Sequence, residues 1–235
     1  MSDLQRARGH AEFPRTLRLF KHNSTEQGLI ASHLRDPLAE HLCDPVLDVG
    51  CGTGEVAFKG LSRLRVTLLD CSVVPQWVAP GHAVLTEDFW NLSSEDAGRW
   101  RTALFSHSLQ YLDEDLNELI DQIRSLRLQR IIVVRNSPAP LFHSVREWLT
   151  DLGLEANPEL DQYPWPRTWT LRAQSSFSSE LVCQNWSEFA RQFCGVVMDV
   201  WPDEAQIATL AGKLATLRKE PRITWEQVIE VIDVV

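Results

Sequence analysis

The stretch VLDVGCGTGEV, residues 46–56, constrains the fold more than any other part of the chain. A short apolar run ends in three glycines at alternate positions, Gly50, Gly52 and Gly54, and a segment with helical period follows. Glycine is needed where a backbone must turn sharply and let a ligand approach with no Cβ in the way. A buried strand, a tight turn and a helix are therefore expected in that order. The same glycines suit a βα turn in any doubly wound protein, and GTGEVA also fits the G-x-G-x-x-A form of a dinucleotide-binding loop. Taken alone, they leave these readings open.

The rest of the chain repeats the alternation. PVLDVG (45–50), RVTLLD (65–70), HAVLTED (82–88), TALFSHS (102–108) and RIIVV (130–134) read as strands. Between them lie EVAFKGLSRL and DEDLNELIDQIRSL (113–126), the latter apolar at 116, 119, 120, 123 and 126 as one face of a helix requires. A further helix covers SVREWLTDLGL, where Gly153 can end it. A capped helix is expected to start near Asn23 and run through LIASHL towards His41. This βαβ spacing predicts an open, mostly parallel sheet with helices on both faces. After residue 155 the alternation breaks into a Trp- and Ser-rich stretch, a clear helix in DEAQIATLAGKLATLRK and a β-branched ending, ITWEQVIEVIDVV. The expected organisation is one domain: a helical segment over 1–44, a core over 45–155, a helical cap and insert over 155–220, and a closing strand in 221–235.

Composition excludes several functions. A formal charge of -9 argues against a basic nucleic-acid face. The five cysteines are scattered with no C-x-x-C pair, which favours reduced thiols over disulfides or zinc. No stretch approaches the roughly 20 apolar residues of a membrane span, and the N-terminus lacks a signal-peptide pattern. A soluble cytoplasmic protein is expected.

The acids that follow the glycine loop narrow its reading. Asp48, two residues ahead of Gly50, is awkward beside a pyrophosphate but suits an amino acid's ammonium group. Asp70 ends the second strand, where an acid can bond both hydroxyls of a ribose, with Cys71 next to it. Asp88 ends the third, offering a carboxylate to adenine's amino group and, in Phe89, a ring for the base. One loop and two acids at successive strand ends resemble motifs I, II and III of the class I S-adenosylmethionine-dependent methyltransferases, over residues 45–155. The resemblance implies S-adenosylmethionine as cofactor, no metal, and a seven-stranded sheet whose last strand is antiparallel beside the fifth. ITWEQVIEVIDVV stands where that strand belongs.

Within that class, LRLFKHNSTEQGLI is similar to the N-terminal segment of the histamine N-methyltransferase-like group. By that match Glu26 lines the acceptor pocket, Ser106 lies near adenine, and His107 faces the acceptor where the group has Gln. Tyr111, in the same LFSHSLQYL stretch, is a further candidate for binding the substrate. Near the C-terminus the group places an Asn in the pocket, where TWEQV offers Glu226 or Gln227. These departures make histamine a doubtful acceptor and leave a small, nitrogen-bearing substrate. Glu26 also has a plain role: with Asn23 as N-cap it is the N3 residue of a capping box. For His107 the plain role is a ring satisfied by a backbone carbonyl at a strand end. Trp165, Trp169, Trp186 and Trp201 fall in the expected cap, where Trp165 and Trp169 are candidates for an aromatic wall. The five acids of LDEDLNELID read as a solvated helix face.

The expected activity is methyl transfer to a small molecule, at a nitrogen of an amine or imidazole. Transfer to a hydroxyl, with His107 as general base, uses the same residues, and a non-catalytic cofactor-binding module is the third reading. Oligomeric state is not legible.

Overall fold

The expected apolar runs are strands in the computed structural model, which describes residues 9–109, 112, 115–137, 140–155 and 164–234. β1 (Val46–Val49), β2 (Val66–Leu69), β3 (Ala83–Leu85), β4 (Thr102–Ser106), β5 (Arg130–Asn136), β6 (Thr170–Val182) and β7 (Arg222–Asp233) form one sheet in the order β3-β2-β1-β4-β5-β7-β6. β1 to β5 pair in parallel, and β7 runs antiparallel beside β5, with Asn136 opposite Gln227. This is the seven-stranded, Rossmann-like methyltransferase fold, with its closing strand where the ending predicts it. The helices are α1 (Phe13–Asn23), α2 (Glu26–Arg35), α3 (Glu55–Gly60), α4 (Leu116–Ser125), α5 (Pro140–Asp151), α6 (Trp186–Gln192) and α7 (Glu204–Leu217). Gly153, at φ +75°, ends α5: Leu154 N–H donates to Leu149 O at 2.8 Å and Gly153 N–H to Thr150 O at 2.9 Å.

The described residues divide into two compact units. The second unit, drawn from 27–136, 160–177 and 227–235, holds the parallel strands. Side chains alternate along each strand, so Leu47, Val49, Phe105, Ile131 and Val133 join one cluster with Phe89, Trp100 and Ile123. Val46, Leu104, Ile132 and Val134 join the opposite cluster with Ile30, Leu34 and Leu61. The first unit, drawn from 1–26, 137–159 and 178–226, is mainly helical, with a core of Phe20, Phe142, Leu149, Phe189, Phe193, Leu210 and Trp225.

Two expectations need correction. Asn23 does not begin a helix; it is the last residue of α1, and α2 starts afresh at Glu26. Ser24 and Thr25 between them are drawn into pairing with β6: Thr25 N–H donates to Glu180 O at 3.0 Å, and Ser24 bridges Leu181. A strand partner has taken the backbone groups that a continuous helix would have used. The Asn23–Glu26 capping box is therefore absent, and Glu26 N–H donates to Ser24 Oγ at 3.1 Å instead. The Asn23 amide donates to Glu188 Oε1 and Gln192 Oε1 at 3.4 and 3.3 Å. The second correction concerns 155–220, expected to be a helical cap. It contains the thirteen-residue strand β6 as well as α6 and α7.

All five cysteines are free thiols. Burial pushes Cys194 up to about 12. Burial, with the charge of Glu188, takes Cys183 to about 12 against a hydrogen bond from Asn23. Both are unreactive as nucleophiles at neutral pH. Among the described residues no helix is long and apolar enough to cross a membrane.

Two half-buried histidines make the fold acid-sensitive. Burial lowers His33 from the ordinary 6.5, and lowers His82 against the opposing pull of the Leu61 backbone carbonyl, to which the charged ring can donate. The unfolded chain takes up protons at 6.5 that the fold refuses until lower pH, so stability declines as pH falls through about 6.5. A second decline follows lower down. Burial alone would raise Asp233, but bonds and charge from Arg130 and Arg172 hold it below 3.8, and Arg65 does the same for Asp44. Those two contributions are complete above 3.8 and disappear as pH drops through the folded values. The urea midpoint is expected to fall between pH 7 and pH 5, less steeply in His82→Leu. Equal midpoints at both pH values in the unmodified protein would show that these rings titrate normally.

Candidate active site

The order of strands reverses between β1 and β4, and in open α/β sheets ligands bind at such a point, outside the carboxyl ends. Val49 lies opposite Leu69 on β2 and Phe105 on β4, so Gly50, Asp70 and Ser106 follow one residue later along the same edge. The glycine loop is anchored by Gly50 N–H and Cys51 N–H, which donate to Leu69 O at 2.8 and 3.1 Å. Gly50 has φ +68°, and a Cβ there would lie 2.7 Å from Ser108 Cβ. Gly54 has φ +78°, and its Cβ would lie 2.6 Å from the Trp77 carbonyl oxygen. Neither position can carry a side chain without displacing a neighbour. The Ser108 hydroxyl, buried beside Gly50, has no hydrogen-bond partner among the described residues.

Asp48 is 2% exposed and shares the strand face of Val46, so its carboxylate lies inside the sheet face and not on the surface of the crevice. Asp70 is half-buried and already engaged. Its Oδ2 accepts from Gly52 N–H at 2.8 Å, and its Oδ1 accepts from Ser72 and Val73 N–H at 2.8 and 2.9 Å. A carboxylate offers about four lone-pair sites. Three are therefore occupied, which leaves room for one ribose hydroxyl where two were expected. Cys71 next to it is exposed, with Sγ 3.4 Å from Ser72 Oγ.

Asp88 Oδ1 accepts from Trp90 N–H at 3.1 Å and so caps the short turn Phe89–Asn91. That turn is tied to α4 by Gln122, whose amide donates to Phe89 O and Leu92 O at 3.0 and 2.8 Å. Phe89, expected to lie against the base, is 3% exposed and packs edge-on to Phe105. The ring that stays half-exposed beside Asp88 is Trp90.

Ser106 closes β4 opposite Val134 and is half-buried. His107 follows in the left-handed region, at φ +54°, which is uncommon for a residue with a side chain. Its Nε2 lies 2.8 Å from Nε2 of Gln227, whose amide also donates to Asn136 Oδ1 at 3.2 Å. Gln227 is fully buried, whereas Glu226 is exposed and bonded to Ser178. Of the two residues that TWEQV offers, Gln227 therefore joins His107. Asn136 escaped the sequence reading; its place at the end of an apolar strand was the available signal.

Glu26 belongs to the first unit and is half-buried at the start of α2. Trp165 and Trp169 stack at 5.4 Å in the second unit, where Trp169 is 7% exposed and Trp165 is half-buried, both against the Phe105 cluster. Trp186 and Trp201 pack in the first unit, edge-on to Phe189 and stacked on His10 respectively. Tyr111 lies outside the described residues.

No family model matches the chain, and no curated protein does. Solved structures match over most of its length. One, from work on conversion of a disulfide bond into a thioacetal group during echinomycin biosynthesis, has a TM-score of 0.50 at 15% identity, covering 87% of this chain and 80% of that one. A cyclopropane-fatty-acyl-phospholipid synthase-like protein from Lactobacillus casei has a TM-score of 0.46 at 15% identity, covering 88% and 92%. The 1,6-didemethyltoxoflavin-N1-methyltransferase of Burkholderia thailandensis, solved with S-adenosylhomocysteine, has a TM-score of 0.44 at 12% identity, covering 87% and 77%. At these identities the likeness is one of fold. The narrower resemblance to the histamine N-methyltransferase-like group finds no support in these comparisons.

Proposed function

We propose that this chain is a cytoplasmic enzyme that transfers the methyl group of S-adenosylmethionine to a small-molecule acceptor, at a nitrogen of an amine or imidazole. The observation that carries the reading is the loop at the β1/β4 edge. It closes against Ser108 and Trp77 at Gly50 and Gly54, and the Asp70 carboxylate fastens it through Gly52 N–H. The residues fit the cofactor. Gly50, Gly52 and Gly54 form a cradle with no Cβ, Asp70 keeps one lone pair for a ribose hydroxyl, and Asp88 with Trp90 suits an adenine.

When bound, S-adenosylmethionine supplies an activated methyl group on a sulfonium sulfur. The chain's own task is to hold and align the acceptor and keep water away. A neutral nitrogen brings its own lone pair, so no base is needed before transfer. Glu26 and His107 are assigned to the acceptor: Glu26 to meet its nitrogen, His107 to orient it.

Titration with S-adenosylhomocysteine tests the cofactor. Incubation with labelled S-adenosylmethionine and a panel of imidazoles, amines, amino acids and phenols, read by mass spectrometry, tests the acceptor. An N-methylated product is expected, with kcat/KM about tenfold lower in Glu26→Gln, the scale of one charged hydrogen bond. Methylation of phenols alone, indifferent to Glu26, would replace this reading by O-methyl transfer. Failure to bind S-adenosylhomocysteine at all would overturn it.

A further inference from the structure

We infer that Gln227 is a positioning residue that fixes the tautomer of His107, with the ring proton on Nδ1 and the Nε2 lone pair engaged, so that His107 does not serve the acceptor as a general base. The inference rests on the reading of His107 as an acceptor-site residue, and it deepens that reading.

The geometry is a chain of three side chains on adjacent strands. Asn136 ends β5, Gln227 lies opposite it on β7, and His107 follows β4. The Gln227 amide nitrogen carries two protons. One goes to Asn136 Oδ1 at 3.2 Å and the other meets His107 Nε2 at 2.8 Å. An N–H donor facing Nε2 requires a lone pair there, so the neutral imidazole carries its proton on Nδ1. Gln227 is fully buried between its partners, which leaves its amide little freedom to turn away. A reversed Gln227 amide fits only beside a reversed Asn136 amide, and that pair would put the ring proton on Nε2, the outcome the spectra below read as a refutation.

The backbone agrees. His107 is held at φ +54°, a conformation that persists in residues with side chains only where the surroundings over-determine it. A ring that merely filled space would not need that backbone and a buried amide together. The same parity argument explains Glu226. One residue earlier on the strand, it points to the opposite face and is exposed, so only Gln227 can reach the ring.

The chemical consequence concerns substrate class. A hydroxyl acceptor must lose its proton as the oxygen–carbon bond forms, and a ring whose Nε2 lone pair is already engaged is a poor place for it. A neutral amine or imidazole nitrogen attacks with its own lone pair and sheds any proton to water afterwards. The pairing thus favours nitrogen acceptors over hydroxyls.

Long-range ¹H–¹⁵N spectra of the whole labelled protein, with His107→Asn to assign the ring, read the tautomer directly. The Nδ1–H form is expected in the unmodified protein. Gln227→Glu, whose carboxylate can only accept, is expected to switch the ring to Nε2–H. Gln227→Met keeps the volume without a donor and is expected to release both tautomers, which covers the case in which a buried Glu prevents folding. In turnover, Gln227→Met is expected to lower kcat roughly fivefold to tenfold, the equivalent of one hydrogen bond, with S-adenosylhomocysteine affinity unchanged. An Nε2–H ring in the unmodified protein, or a tautomer indifferent to both substitutions, would overturn the inference. The spectra need no turnover, so a protein that switches tautomer yet binds no cofactor would refute the methyl-transfer reading and leave the amide–imidazole pairing standing.

Discussion

Gly54→Ala is expected to lower stability by about 2–5 kcal/mol and to weaken S-adenosylhomocysteine binding about a hundredfold. The first figure joins two costs. A left-handed conformation costs an L-residue about 1–2 kcal/mol, and overpacking costs about 1–3 kcal/mol. The new methyl would sit 2.6 Å from the Trp77 carbonyl and 3.2 Å from Leu68 Cδ1. The carbonyl cannot retreat cheaply, because Gln76 and Trp77 N–H both donate to Thr53 O, at 3.0 and 2.9 Å. Movement of one loop therefore moves the other, and losing about two hydrogen bonds to the cofactor, at about 1.4 kcal/mol each, amounts to a hundredfold. Gly81→Ala is the control. It too has a positive φ, +88°, but nothing lies within 4 Å of its Cβ position, so strain alone is expected and cofactor binding is retained. Urea denaturation and calorimetric titration measure both quantities. Wild-type behaviour of Gly54→Ala would mean that the loop does not close as described.

Asp70→Ala is expected to cost about 2–4 kcal/mol and to reduce cofactor affinity by at least roughly tenfold. Three backbone N–H groups lose a charged acceptor, and hydrogen bonds to charged groups are worth about 1.5–3 kcal/mol each, less where water can replace them. Asp70→Asn separates the roles. Its amide oxygen can still accept from one edge of the turn, so much of the stability should return while affinity stays low. If Asp70→Asn bound S-adenosylhomocysteine as tightly as the unmodified protein, the carboxylate would serve the loop alone.

The elements most legible in the sequence are those whose requirements are local. The β1 turn could be read because sharp turning and close approach demand glycine whatever surrounds them. β5 could be read because its buried stretch is a continuous apolar run, and β7 because β-branched residues recur along it. β6 could not. In TLRAQSSFSSELV only Phe177, Ser179 and Leu181 are buried, and serines hold positions that a central strand would give to valine. Lying at the end of the sheet order, it pairs as an edge strand and needs little apolar surface. The NSTE segment misled for a related reason. Its capping chemistry is genuine locally, but pairing with β6 outcompetes it, and that partner is some 155 residues away.

At the site, residue types and strand ends followed from the sequence, and orientations did not. That a ring would follow Asp88 was evident; that Phe89 goes inward and Trp90 stays at the surface depends on how the turn meets Phe105 and α4. Alternation put Glu226 and Gln227 on opposite faces, yet only the register of β7 on β5, Gln227 opposite Asn136, determines which of them meets His107. Backbone geometry and strand identity are set by short-range sterics and hydrophobic period, which a sequence carries openly. The Asn136–Gln227–His107 contact joins three strands distant in the chain, and it exists only because burial and register bring them together.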